Sequence, residues 1–221
     1  MERNVNFDIT YSKEFLSSNR DYYNSLANNC VELLDELLLL IEHTPVLKQL
    51  EYRYVNILVI LQFVDLEYDY LFAIVKNLRD EGANINPTEF LMHLKNYLVH
   101  IDSFIDYLDG FLLVLSEETD EYDYRFDRKA IPEFHLINET RNQIHHKSLP
   151  TVDYNYYTIA SGHADLAIRE EVHQIMLRWP LSDRFTDTVD LSILLRDTRA
   201  AVKTQFEAVI EYLLQNLKKQ S

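Results

Sequence analysis

The apolar positions of this chain recur with a helical period over four long stretches. In each stretch the apolar and aromatic residues fall on one face of a helix, and in the two central stretches a seven-residue repeat continues without a break. The stripes run from Phe15 to Leu40, from Leu47 to Leu78, from Leu91 to Leu115 and from Leu191 to Leu217. Long stripes that face one way are typical of helices packed at shallow angles in a bundle. The pattern predicts long helices over 12–43, 45–80, 87–117 and 187–219.

Glycine and proline support this interpretation. The chain has three glycines in 221 residues, whereas β-rich folds need glycine at their tight turns. Thr44-Pro45 and Asn86-Pro87 each place a capping residue before a proline at the first helical position. Pro132 opens a shorter helix to about Lys147. The inner face of that helix is formed by Ile131, Phe134, Ile137 and Ile144. We expect an all-α fold: a bundle of four long helices plus one or two short helices.

The interval before the last long helix is less regular. After Pro150, the residues Val152, Tyr154 and Tyr156 alternate with polar or small neighbours, which favours a short extended segment or small hairpin near 150–160. Leu166 to Trp179 is predicted as another short helix. No internal repeat and no flexible linker separates these segments, so residues 1–221 are interpreted as a single domain.

Composition and charge narrow the class of partners. The net charge is −15 and 47% of the residues are hydrophobic, so a globular protein is expected rather than one that coats nucleic acid or an acidic membrane. No apolar run approaches the roughly 20 residues that span a bilayer, and the first residues have no apolar signal core. The single cysteine, Cys30, excludes an internal disulfide and favours a cytoplasmic setting. Because Cys30 lies in an apolar stripe, we expect a buried, inert thiol.

The common catalytic motifs are missing from the sequence. Glu170-Glu171-Val172-His173 has the Glu-x-x-His spacing of di-iron bundles, but a second pair is not found. Zinc-type Cys/His spacing, a glycine-rich phosphate loop and a serine-hydrolase elbow are also absent. We therefore expect neither a metal nor another cofactor.

The stretch ETRNQIHHKS, residues 139–148, concentrates polar chemistry at a predicted helix end. One interpretation is structural, because His145, His146 and Lys147 in a last helical turn complement the helix dipole. The other is functional. Asn142 and His146 are four residues apart and share a face, and Arg141 lies about 140° around the helix but is long enough to reach over. An arginine, an amide and an imidazole placed together can bind a phosphate and move a proton.

Arg141-Asn142-Gln143-Ile144-His145-His146 resembles the R-x4-6-H motif of the HEPN superfamily, in the form where a polar residue follows the arginine. The resemblance implies an all-α bundle of four or five helices with the motif at the end of a late helix. It also implies a metal-independent ribonuclease with a toxin–antitoxin, anti-phage or RNA-processing role. Members of the superfamily typically dimerise, so that two motifs form one composite site.

The resemblance also assigns roles to the residues. His146 is expected to act as general base or acid, Arg141 to hold the scissile phosphate, and Asn142 to orient either of them; the products are a 2′,3′-cyclic phosphate and a 5′-hydroxyl. Further RNA or phosphate contacts are expected from His145, Lys147, Arg125, Arg128 and Lys129. Ser148 stands where some members carry a tyrosine that receives nucleotides, so that regulation is not expected here.

The partners expected from the resemblance are a second copy of the chain, an RNA substrate and an antitoxin or regulatory protein, with no membrane and no DNA. Two alternatives remain open. In one, a HEPN-like bundle without catalysis serves as a binding or dimerisation module. In the other, an unrelated helical bundle acts as an adaptor, and Arg141 and His146 only cap a helix.

Overall fold

A computed structural model describes residues 19–44, 47–81, 86–118, 124, 131–146, 149–161, 168–179 and 188–217 of the protein. These residues form six α-helices and one small antiparallel sheet. In chain order the elements are α1 (Arg20–Leu26), α2 (Cys30–His43), α3 (Lys48–Glu81), α4 (Pro87–Glu118), α5 (Pro132–His146), β1 (Thr151–Ser161), β2 (Ile168–Arg178), β3 (Thr188–Asp190) and α6 (Leu191–Leu217). Because the helices hold more than half of the chain, the expected mostly helical bundle is confirmed.

Helices α3 and α4 follow the two unbroken apolar repeats. Helix α3 begins at Lys48 after a short 3-10 turn at Leu47, and α4 begins at Pro87 as predicted. The side chain of Asn86 caps α4, since its Oδ1 accepts hydrogen bonds from the backbone N–H groups of Thr88 at 3.1 Å and Glu89 at 3.4 Å.

The apolar stripes meet in one core. Phe206 of α6 lies against Tyr54 of α3 and Phe104 of α4, with ring centroids 6.1 and 5.7 Å apart. The hydroxyl of Tyr54 donates a hydrogen bond to the carbonyl oxygen of Cys30 at 2.7 Å, which joins α2 to the same core. Cys30 is fully buried, as expected, and burial raises the pKa of its thiol to about 12.

The first long helix predicted over 12–43 is interrupted. Its residues 12–18 lie outside the described part of the chain, and the remainder forms α1 and α2 with a break between Leu26 and Cys30. Asn29 has a φ of 62°, a left-handed conformation that asparagine tolerates better than most side chains. Next to it, the backbone N–H of Asn28 donates to Glu207 of α6 at 2.9 Å. The apolar stripe continues across the break, so periodicity alone did not reveal it.

The helix predicted over Leu166–Trp179 is wrong, because this segment contains strand β2. Strand β2 pairs antiparallel with β1, and Thr151 lies opposite Arg178, so the expected hairpin is present and extends further than predicted. Ile175, Leu177 and Trp179 are buried and alternate with more exposed residues, the two-residue period of a strand. Pairing with β1 and burial of this face outweigh the helix propensity of the segment.

The last long helix begins later than predicted. Thr188 to Asp190 form the short strand β3, in which Val189 lies opposite Leu177 of β2. The carboxylate of Asp190 then accepts hydrogen bonds from the N–H groups of Ser192 at 2.8 Å and Ile193 at 3.3 Å and so caps α6. Within the described ranges, none of the helices combines the length and the apolar character needed to cross a membrane.

Candidate functional site

Helix α5 carries the motif and is fixed by its apolar face. Phe134, Ile137 and Ile144 are buried and Ile131 packs against the core, as the sequence predicts. This face holds α5 against α4 and α6. Three polar residues of α5, His135, Asn138 and Arg141, line the groove that it forms with α4.

Arg141 forms an ion pair with Asp102, which lies near the middle of α4. Nη1 of Arg141 donates to Oδ2 of Asp102, and the two side chains are 29% and 21% exposed. The contact joins two residues that are 39 positions apart in the chain and lie on different helices. It fixes the guanidinium in place and also offsets its positive charge.

Two asparagines also lie beside the guanidinium of Arg141. Nη2 of Arg141 lies 3.3 Å from Oδ1 of Asn142 and 3.5 Å from Oδ1 of Asn138. The amide nitrogen of Asn142 donates to Oδ1 of Asn138 at 3.3 Å, one helical turn earlier. The resemblance implies that Asn142 orients the histidine or the phosphate; among the described residues, it contacts Arg141 and Asn138.

The groove between α4 and α5 is a cavity of about 700 Å³. It is lined by Asp102, Ile105, Asp106, Phe134, His135, Asn138 and Arg141. His135 lies 3.4 Å from Glu139 through Nε2 and is more exposed than Arg141. Among the described residues, the groove thus combines two carboxylates with one guanidinium and one imidazole, and Ile105 and Phe134 form its apolar part.

The groove can bind an anion only if the guanidinium of Arg141 has N–H donors that are not already used in other hydrogen bonds. A guanidinium has five N–H groups, and the described contacts use Nη1 and Nη2. None of the described residues accepts a hydrogen bond from Nε of Arg141. A phosphate oxygen at Nε would meet a donor whose orientation is already fixed, although Asp102 opposes the approach of negative charge.

The remaining predicted site residues fall outside what the structure describes. His145 and His146 form the last two backbone positions of α5, but their side chains are not among the described residues. Five residues along a helix separate Arg141 from His146 by about 7.5 Å along the axis. Also outside the described residues are Lys147, Ser148, Arg125, Arg128 and Lys129.

The sequence did not point to Asp102, Asp106, Asn138 or His135 as members of this groove. Asn138 is three positions before Arg141, so helical spacing alone could have indicated it. Asp102 and Asp106 could not be found in this way, because their position depends on how α4 is aligned against α5.

Metal ligation is not supported by side-chain geometry in the described ranges. There, no three His, Cys, Asp or Glu side chains are grouped closely enough to hold a metal ion. The Glu170–His173 pair lies in strand β2, so the helical spacing that links it to di-iron bundles does not apply. Comparisons of the chain with protein-family models, curated proteins and solved structures found no match.

Proposed function

We propose that this protein is a metal-independent endoribonuclease of the HEPN type, with a site on α5 built around Arg141 and His146. The observation that carries the proposal is the network of Arg141, Asn142 and Asp102. It holds a guanidinium in an open groove, five residues before a histidine at the helix end. Fixed donors of this kind stabilise the charge that develops on a phosphate in the transition state.

The proposed reaction is an internal transfer at a ribose. The 2′-oxygen attacks the adjacent phosphorus, and His146 accepts the proton of the 2′-hydroxyl. The bond to the 5′-oxygen breaks, and that oxygen takes a proton from a second imidazole. The products are a 2′,3′-cyclic phosphate and a 5′-hydroxyl, and neither oxidant nor metal takes part. An imidazole suits both proton transfers because it titrates near neutral pH.

The proposal includes a homodimer, because a second imidazole is then available from the other copy. A composite site with two-fold symmetry places one Arg141–His146 pair on each side of the scissile phosphate. The biological setting proposed with this activity is a cytoplasmic toxin, anti-phage or RNA-processing role. An antitoxin or a regulatory protein would restrain the enzyme.

The negative net charge of the protein limits its binding of RNA. With a net charge of −15, most of the surface repels RNA, so binding depends on a few local cations and weakens steeply with salt. We expect weak affinity for long RNA and cleavage that is fastest at low ionic strength.

A cleavage assay on a mixed-sequence RNA in excess EDTA tests the proposal. Wild-type protein should cut the RNA, His146→Ala should be inactive, and Arg141→Ala nearly so, because loss of a positioned acid or base lowers rates by roughly 10²–10⁴-fold. His145→Ala is the matched control: it is adjacent to His146 but only four positions after Arg141, and it should retain much of the activity. A wild-type protein without cleavage under any condition would contradict the proposal.

The second candidate function is a binding or dimerisation module without catalysis. The ion pair with Asp102 favours it, since an arginine whose charge is offset by a neighbouring carboxylate serves to hold α5 on α4. In that case Arg141→Ala would lower stability while wild-type and variant proteins are equally inactive on RNA.

A further inference from the structure

Helix α3 carries a second stripe on its outer face, which is apolar or aromatic except at Asn56. The stripe consists of Tyr52, Asn56, Val59, Phe63, Leu66, Tyr70 and Ala73, with alternating spacings of four and three residues. Tyr52, Phe63 and Leu66 are 59%, 41% and 56% exposed. A seven-residue repeat of this kind is the pattern by which one helix packs along another. The inner stripe of α3 already faces the core, so this one is available to a partner.

Helix α4 extends the same face. It runs antiparallel beside α3, and the ring of His100 lies 5.3 Å from that of Phe63 near the centre of the stripe. At one end, Tyr107 of α4 is 46% exposed. A cavity of about 310 Å³ at that end is lined by Gln49, Tyr52, Arg53, Asn56 and Tyr107. At the opposite end, Met92 is 51% exposed.

The stripe can pack against the same stripe of an antiparallel copy. Counted from Phe63, Asn56 lies seven positions before and Tyr70 seven positions after. An antiparallel copy centred on Phe63 places the ring of Tyr70 over the cavity at Asn56. The same alignment sets Tyr52, eleven positions before Phe63, beside Ala73 and Ile74, ten and eleven positions after it; at Ala73 a large side chain meets a small one. Alternating large and small residues across facing positions allows two helices to interdigitate.

Charge at the two ends is complementary in the same alignment. Arg53, at one end, is exposed and has no ion pair among the described residues. Glu89, at the other end, is exposed and is bound to the hydroxyl of Tyr70 at 2.5 Å, with no cation beside it in the described ranges. Both residues lie on the α4 side of the stripe. A two-fold axis through Phe63 therefore brings Arg53 of one copy to Glu89 of the other, whereas a parallel arrangement does not.

We propose that this outer α3/α4 face binds the same face of a second copy of the chain, antiparallel and with Phe63 on the two-fold axis. The interface is separate from the Asp102–Arg141 groove and does not depend on the proposed nuclease activity. A two-fold contact of this type is self-complementary, so that each pairing occurs twice. Two pairs set the antiparallel direction of the helices, and each is formed twice: Arg53 with Glu89, and Asn56 with Tyr70.

Molecular mass provides the first test. Sedimentation equilibrium of wild-type protein should give an oligomer at micromolar concentration, and Phe63→Glu should halve its mass because two carboxylates would meet on the axis. Leu39→Glu is the matched control, since Leu39 is 53% exposed on α2 and outside the stripe; it should leave the mass unchanged. A monomeric wild type, or a Phe63→Glu variant with wild-type mass, overturns the proposal.

Disulfide cross-linking determines the direction of pairing. The native Cys30 is buried, so an introduced cysteine is the reactive thiol. Phe63→Cys should cross-link with itself under mild oxidation, because residues on the axis bring their Cβ atoms to the roughly 4 Å that a disulfide needs. Asn56→Cys and Tyr70→Cys should each stay uncross-linked alone and cross-link when mixed. Self-linked Asn56→Cys indicates a parallel pair and overturns the antiparallel arrangement.

Discussion

Arg141 and Asp102 form an ion pair that joins α5 to α4 in a groove where both side chains are about three-quarters covered. The pair holds the arginine of the motif in place. It also means that Arg141 is no freely solvated charge at a helix end. From the sequence alone, replacing Arg141 would be expected to change stability by about 0.5 kcal/mol, as for an exposed surface residue. Because of the ion pair, we expect replacement of Arg141 to lower the stability by more than this.

A double-mutant cycle measures that effect. We predict that Arg141→Ala and Asp102→Ala each lower the free energy of unfolding by about 1–2 kcal/mol, because each removes one member of an ion pair whose side chains are mostly covered. The double variant should lose less than the sum of the two, with a coupling energy of about 0.5–1 kcal/mol. Urea unfolding of the four proteins gives these values. Strict additivity would show that the pair contributes nothing.

Arg141→Lys separates folding from catalysis. Lysine keeps the positive charge beside Asp102, so the free energy of unfolding should stay within about 1 kcal/mol of wild type. Cleavage of RNA should nevertheless fall by roughly 10-fold or more, because an ammonium cannot offer the planar, forked donors of a guanidinium. Melting temperature and cleavage rate are measured on the same preparation. A lysine variant with full activity would show that charge alone is required.

Because tyrosine hydroxyls and a cysteine thiol are buried, we predict that the protein loses stability at alkaline pH. Burial raises the pKa of Cys30 from 9.0 to about 12, and it also raises those of Tyr54 and Tyr97. Well below pH 9 these groups are neutral in both folded and unfolded chains. Above it the unfolded thiol ionises first, so Cys30 alone removes up to about 1.4 kcal/mol of stability per pH unit between pH 9 and 12. Urea midpoints at pH 8 and 10.5 test this, and an unchanged midpoint contradicts it.

Gly110 offers a stabilising substitution within α4. A Cβ atom at this position would lie 3.1 Å from Nη1 of Arg53 and, among the described residues, would have no other close neighbour. The guanidinium is the far end of an exposed, flexible side chain and is able to move aside. Gly110→Ala should therefore raise the free energy of unfolding by about 0.5–1 kcal/mol, the usual gain for replacing a helical glycine. Thermal unfolding of the variant provides the value, and a lower melting temperature would mean that Arg53 is held more firmly.

The helical part of the fold could be predicted from the sequence because the apolar repeats are long. The bounds of α4 follow from Asn86-Pro87 and an unbroken stripe, and the structure agrees to within one residue. The break at Asn29 and the strand β2 could not be predicted in this way. A left-handed residue leaves the stripe intact, and β2 depends on pairing with β1, which is a contact between distant residues.

The candidate site was only partly predictable for a similar reason. Arg141 and Asn142 are neighbours in the chain, so their spacing identifies them. Asp102 is brought to Arg141 by the alignment of α4 against α5, and an apolar repeat does not specify which polar residues face each other across a groove. The roles of His145 and His146 stay predictions.

The chemical ends of the RNA products test the central claim most directly. Wild-type protein in excess EDTA should leave 2′,3′-cyclic phosphate and 5′-hydroxyl ends, which are identified by mass spectrometry of a short labelled RNA. His146→Ala should leave the substrate intact, and His145→Ala should yield the same ends as wild type. Products with 3′-hydroxyl and 5′-phosphate ends, or cleavage that disappears with EDTA, would contradict a metal-independent mechanism based on Arg141 and His146.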